Sequence, residues 1–120
     1  MMPNQVKWIE HKEREILYVN LSDLYGNEYV NTIIDVRDFL VDLEQNNICS
    51  LANVRNTFVN KNVLKEIQKT VGTANNPFKK VGVTGVTKVQ EIFIEIVKMM
   101  SSLDVKTFDT MEKAKDWLVE

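Results

Sequence analysis

The sequence predicts an α/β fold: a five-stranded, mostly parallel sheet with four helices, in the order β-β-α-β-α-β-α-β-α. Three observations predict it. The chain opens on two apolar runs, "VKWIEH" and "EILYVNL", parted by a polar turn. Short runs of small and β-branched residues recur at 48–54, 79–86 and 105–108. Segments with apolar residues at helical spacing separate and follow them. Strands alternating with helices require crossover connections, which are right-handed and build a parallel sheet. At 120 residues the chain is one domain, 1–120, long enough to bury a core without covalent staples.

The elements follow in order. "VKWIEH" (6–11) alternates, with Val6, Trp8 and Glu10 on one face and Lys7, Ile9 and His11 on the other. "HKER" is the tight turn of a hairpin. "EILYVNL" (15–21) is apolar on nearly both faces, so this strand is interior. Residues 26–47 have helical period, with Tyr29, Ile33, Val36, Leu40 and Leu43 on the inner stripe and Asp35, Asp38 and Asp42 facing water. "ICSLANV" (48–54) is a buried strand. "NVLKEIQKTV" (62–71) is a helix that turns Val63, Leu64, Ile67 and Val71 inward. "KKVGVTGV" (79–86) is a further buried strand, in which Gly82 and Gly85 let a helix pack close. The helix 87–100 is expected to face inward with Val89, Ile92, Phe93, Ile96 and Met100. "VKTF" (105–108) is an edge strand. The closing helix, 109–120, carries Met111, Ala114, Trp117 and Leu118 inward, and Asp109 and Glu112 have the spacing of a capping box.

Bulk properties exclude several classes. Fifteen basic residues against seventeen acidic ones give a net charge of -2. A dedicated nucleic-acid binder needs a basic surplus to displace counterions from phosphates, so no nucleic-acid partner is expected. No apolar run approaches the ~20 residues that span a bilayer. The first twelve residues lack the layout of a signal peptide. Cys49 is the only cysteine, which fits a reducing, cytoplasmic setting.

Four segments spread over nearly the whole chain, "EILYVNLSDL", "ANVRNTF", "KKVGVTGVTK" and "FDTMEKAKDWL", resemble the STAS/SpoIIAA-like superfamily, the fold of the anti-sigma-factor antagonists. More closely, the chain is similar to small stand-alone STAS/SEC14-type domain proteins. The resemblance implies a five-stranded sheet with four helices and implies no reaction. In the antagonist branch, the turn after the third strand carries a serine that a partner kinase phosphorylates. Here Asn60, Lys61 and Asn62 stand across those positions, and no hydroxyl remains at the switch. Thr57 is the nearest hydroxyl. The alternative for this turn is that Thr57, Asn60 and Asn62 satisfy turn and helix-cap N–H groups.

The carboxyl ends of parallel strands gather loops at one edge of a sheet, where ligands bind in open α/β folds. Arg55, Asn56, Thr57, Asn62, Thr87 and Lys88 meet there as candidate small-anion or switch-turn residues. The opposing expectation is that Asp23 and Asp109 neutralise Arg55 and Lys88 while Thr84 and Thr87 cap helices. "GVTGVTK" is no phosphate loop, because the spacing of its glycines and lysine is wrong. One His (His11) and one Cys make no usual zinc set and are expected on the wrong side of the sheet for a nucleophile pair. No metal, cofactor or catalytic set is predicted.

Beside the core stripe of helix 26–47 runs a second apolar line, Val30, Ile34 and Val41, and helix 87–100 carries Ile94 and Met99 off its expected inner face. These five residues form the candidate interaction surface, for a protein partner or a weak homodimer. The sequence reading is therefore a non-enzymatic, STAS-like interaction or regulatory module. The alternative is a SEC14-type carrier of a small apolar ligand or lipid, held in a cavity between helices and sheet lined by residues such as Ile34, Phe39, Ile94 and Met99.

Overall fold

The computed structural model describes residues 2–71 and 77–120, and of Met100 the backbone alone. Among the described residues lie the expected five strands and four helices: β1 (Val6–His11), β2 (Arg14–Asn20), α1 (Gly26–Leu43), β3 (Ile48–Asn53), α2 (Lys61–Val71), β4 (Phe78–Thr84), α3 (Lys88–Met100), β5 (Asp104–Phe108) and α4 (Met111–Leu118). No helix among these residues is long and apolar enough to cross a membrane.

The β1–β2 hairpin is antiparallel, with Val6 opposite Val19 and His11 opposite Arg14. Its two turn residues, Lys12 and Glu13, both take positive φ (51° and 66°), the geometry whose twist matches two-residue hairpins. Every later pairing is parallel. The strand order is β1-β2-β3-β4-β5, so each strand lies beside its predecessor. Crossovers of one hand that always step the same way put their helices on the same side. Accordingly Val6, Leu17, Val19 and Ile48 form one core with Tyr29, Ile33, Val36 and Leu40 of α1 and Val63 of α2. Val83, Val105 and Leu103 continue it toward Ile94 of α3. The opposite face is covered by α4, whose Ala114 and Leu118 cluster with Ile16 and Leu51. Ile16 and Leu17, neighbours on β2 with opposite orientations, are both fully buried, as an interior strand requires.

Gly82 allows the close approach of α4. A Cβ there would lie 3.4 Å from the Ala114 Cβ. Gly85 has another purpose than helix packing: its φ is +81°, and a Cβ would lie 2.6 Å from the Arg55 backbone nitrogen. Lys80 lays its ammonium 4.9 Å from the Trp117 ring centre and donates to the Trp117 carbonyl at 3.0 Å. Phe108 packs on the same indole, with ring centres 5.5 Å apart.

Three expectations are corrected. Helix α1 ends at Leu43, because Glu44 turns left-handed (φ 52°) and stops it. Helix α4 is capped by Thr110, whose hydroxyl accepts from the Lys113 N–H, and the Asp109 carboxylate pairs with the Lys113 ammonium at 3.0 Å instead. The phase of α3 also differs. Val89 and Ile92 are exposed (66% and 62%), while Gln90 is buried and Phe93, Ile94 and Val97 face inward. Lys88, Glu91, Glu95 and Lys98 mark one polar side of "KVQEIFIEIVKMM", but apolar residues fill nearly all the rest, an arc wider than the face that packs, and buried Gln90 sets which part of it turns inward. The expected inward side chain of Met100 lies outside the described residues.

Helices α1 and α2 are tied across their outer edge by Arg37, whose Nη1 donates to Glu66 Oε1 at 3.0 Å, with Lys69 at 3.4 Å from the other oxygen. The Arg37 hydrogen bond holds the Glu66 carboxyl below its ordinary range, against partial desolvation that pushes it up. A pKa lowered by folding stabilises the native state above the unfolded-state pKa, and that contribution is lost as pH falls through the lowered value. The stability difference between wild type and Glu66→Gln, measured by urea denaturation, is therefore expected at pH 7 and to shrink on acidification below the carboxylate range. A difference that stays constant with pH would show that the charge contributes nothing.

Candidate functional site

The central strand, β3, presents small side chains to the helices. Ser50 and Ala52 stand where neighbouring strands offer Val19, Val81, Val83 and Val105. Helices carried at ordinary distance above such a floor leave space. A cavity of about 160 Å³ lies there, between the sheet and α1–α3. Ile33 and Val36 of α1, Leu64 and Ile67 of α2, and Phe93, Ile94 and Val97 of α3 wall it. Of the four residues expected to line such a cavity, Ile94 does so. Ile34 and Phe39 are half-buried without reaching it, and Met99 is exposed (84%).

The polar groups in the wall are engaged within the protein. Ser50 donates to the Leu17 carbonyl at 2.9 Å, and Thr70 to the Glu66 carbonyl at 2.9 Å. At the strand-end side, Gln90 accepts from the Thr87 N–H at 2.9 Å and donates to the Thr57 carbonyl at 3.1 Å and hydroxyl at 2.7 Å. The Thr57 hydroxyl in turn donates to the Val54 carbonyl at 2.8 Å. Burial pushes the hydroxyl of neighbouring Tyr29 above its ordinary range, more than the interaction with Thr57 lowers it. Through its one hydroxyl Thr57 thus ties the β3–α2 turn to α3.

The rest of the strand-end cluster is spent on joining loops. The Asn56 amide donates to Asp23 at 2.7 Å, and the Asp23 N–H donates to the Arg55 carbonyl at 3.0 Å. Asn60 caps α2 by accepting from the Val63 N–H at 2.9 Å, as the turn reading expects. Asn62 lies exposed inside the first turn of α2 rather than at its cap. Thr87 caps α3 in a full capping box with Gln90. Thr84 caps nothing: its hydroxyl is buried and has no partner among the described residues. Arg55 and Lys88 are exposed, and among the described residues neither pairs with Asp23 or Asp109. The hydroxyls of Thr57 and Thr87 are engaged within the protein, in the tie to α3 and in its cap.

Of the proposed interaction surface, Val30 packs against the core, Ile34 is half-buried and Val41 is exposed (69%). Ile94 points inward, a correction that follows from the phase of α3. The exposed apolar row is Val89, Ile92 and Met99 instead, with Phe58 exposed in the β3–α2 turn. His11 Nε2 lies 2.7 Å from Asp116 Oδ1, and the half-buried Cys49 lines an open, polar cleft of about 500 Å³ at the amino ends of the strands. Among the described residues no three His, Cys, Asp or Glu side chains are grouped to hold a metal ion.

The whole chain superposes on the crystal structure of an uncharacterized protein of the DUF3478 family with a SpoIIAA-like fold from Shewanella loihica PV-4. The TM-score is 0.71, and identity is 17% over 98% of either chain. The fold is SpoIIAA-like. No protein-family model matches the sequence, and no curated protein is similar to it at a significant level. In this SpoIIAA-like domain the hub at Thr57 was not legible from spacing. Thr57 is one of many turn hydroxyls in the chain, and its Gln90 partner lies 33 residues after it. Replacing it by Val removes the hydroxyl that accepts from Gln90 and donates to the Val54 carbonyl. Chemical denaturation is expected to show Thr57→Val less stable by roughly 1–3 kcal/mol, the cost of buried donors left unpaired, and Thr57→Ser close to wild type. Equal stability of Thr57→Val and wild type would refute the hub.

Proposed function

We propose that this SpoIIAA-like domain is a non-enzymatic cytoplasmic module that binds a small apolar ligand in the space between its sheet and α1–α3. The cavity carries the reading. Native interiors are packed like organic crystals, with few voids larger than a water molecule. The pocket is partly open, and its walls are almost wholly apolar. Apolar surface left uncovered forgoes roughly 25 cal/mol for each Å², stability that a more fully packed interior would keep. An apolar occupant recovers it as binding energy. The polar residues at the strand ends support the non-enzymatic part, since their groups serve caps and loop ties. Organic extraction of the protein purified from its own cells, followed by mass spectrometry, is expected to yield an apolar compound near one per chain. The compound should be missing from folded Ala52→Leu, which fills the floor. A clean extract from wild type sinks the reading.

A protein partner is the second reading, favoured by the exposed row Val89, Ile92 and Met99 on α3. The line on α1 serves less well, because Val30 is committed to the core. Three side chains per partner bury too little to overcome much association entropy, so self-association through this row is micromolar at best. Sedimentation of wild type at high concentration is expected to show a dimer that Ile92→Asp abolishes. A monomeric wild type removes self-association from consideration.

A further inference from the structure

Resting on the ligand reading above, we infer that the occupant is a compact, uncharged compound the size of one ring, and not an ionised fatty acid or a lipid chain. Volume is the first argument. About 160 Å³ matches the space in which an engineered apolar protein cavity of ~150 Å³ takes up benzene or xenon. A long acyl chain does not fit in it.

Chemistry is the second argument. Among the described residues none of the side chains lining the cavity is charged, and the walls are aliphatic apart from Phe78, Phe93 and four polar residues. Three of those four are engaged: Ser50 and Thr70 donate to backbone carbonyls, and Gln90 serves Thr87 and Thr57. The fourth is the neutral phenol of Tyr29. A carboxylate drawn into this space meets no cation among the described residues, and the desolvation of an unpaired charge opposes it strongly. A neutral hydrocarbon or aromatic ring gives up no hydration of a charge by entering, and it gains dispersion contacts with the apolar walls. The site therefore discriminates by charge and by length at once.

The test is a titration of the ¹⁵N-labelled full chain at pH 7 with toluene, sodium octanoate and dissolved xenon, following the amides of Ala52, Val81 and Val97. Toluene is expected to shift these amides saturably, with octanoate at least tenfold weaker. Octanoate binding within tenfold of toluene overturns the inference and leaves the cavity as a ligand site. Xenon shifts without toluene shifts overturn it too, by showing a space too small for a ring. No shift with any of the three overturns the inference and the ligand reading together.

Discussion

A single buried amide sets the placement of α3. Gln90 sits one turn into the helix, and its side chain does two things that no apolar residue there does. Its oxygen closes the capping box on the Thr87 N–H, and its nitrogen reaches the carbonyl and hydroxyl of Thr57 on the neighbouring turn. A helix whose apolar residues cover much more than the face that packs is only loosely fixed in rotation by burial. A buried polar group left unpaired costs roughly 1–3 kcal/mol, enough to decide between phases that bury similar apolar area. With Gln90 inward, Phe93, Ile94 and Val97 follow it and wall the cavity, and Val89 and Ile92 are left in solvent. The cavity and the exposed row on α3 are consequences of the same choice.

Much of the fold is readable in the order of the segments. Helix α1 has a clean stripe at Tyr29, Ile33, Val36 and Leu40 with aspartates opposite, so burial and periodicity agree. Strand β2 is apolar on both faces and is interior. The elements that resist reading are those where apolar residues are too many or where a polar contact comes from far along the chain. Helix α3 is the first case. Thr57 is the second, because its role depends on Gln90 arriving from another element, and no local pattern marks it. The cap of α4 illustrates a finer difficulty: Asp109 and Thr110 are adjacent and both suit a cap, and the lysine at 113 draws the aspartate away. The cavity was anticipated in kind and missed in detail, because small residues such as Ser50 and Ala52 read as strand formers rather than as missing volume.

The two sides of the sheet are built differently. Three helices cover one side and leave a space above β3. One short helix covers the other and packs in close contact, so that a Cβ at Gly82 would lie 3.4 Å from that of Ala114. There Lys80 and Phe108 clasp Trp117 from the sheet. The loosely filled side carries the candidate site, and the tightly filled side anchors the end of the chain.

The space above β3 also makes the native state larger than its atoms require. Whatever part of that space water does not reach is volume lost on unfolding, so compression favours the open chain by an amount that scales with it. An occupant that fills the space removes this penalty, and pressure would separate the filled from the unfilled form at a temperature where both are folded.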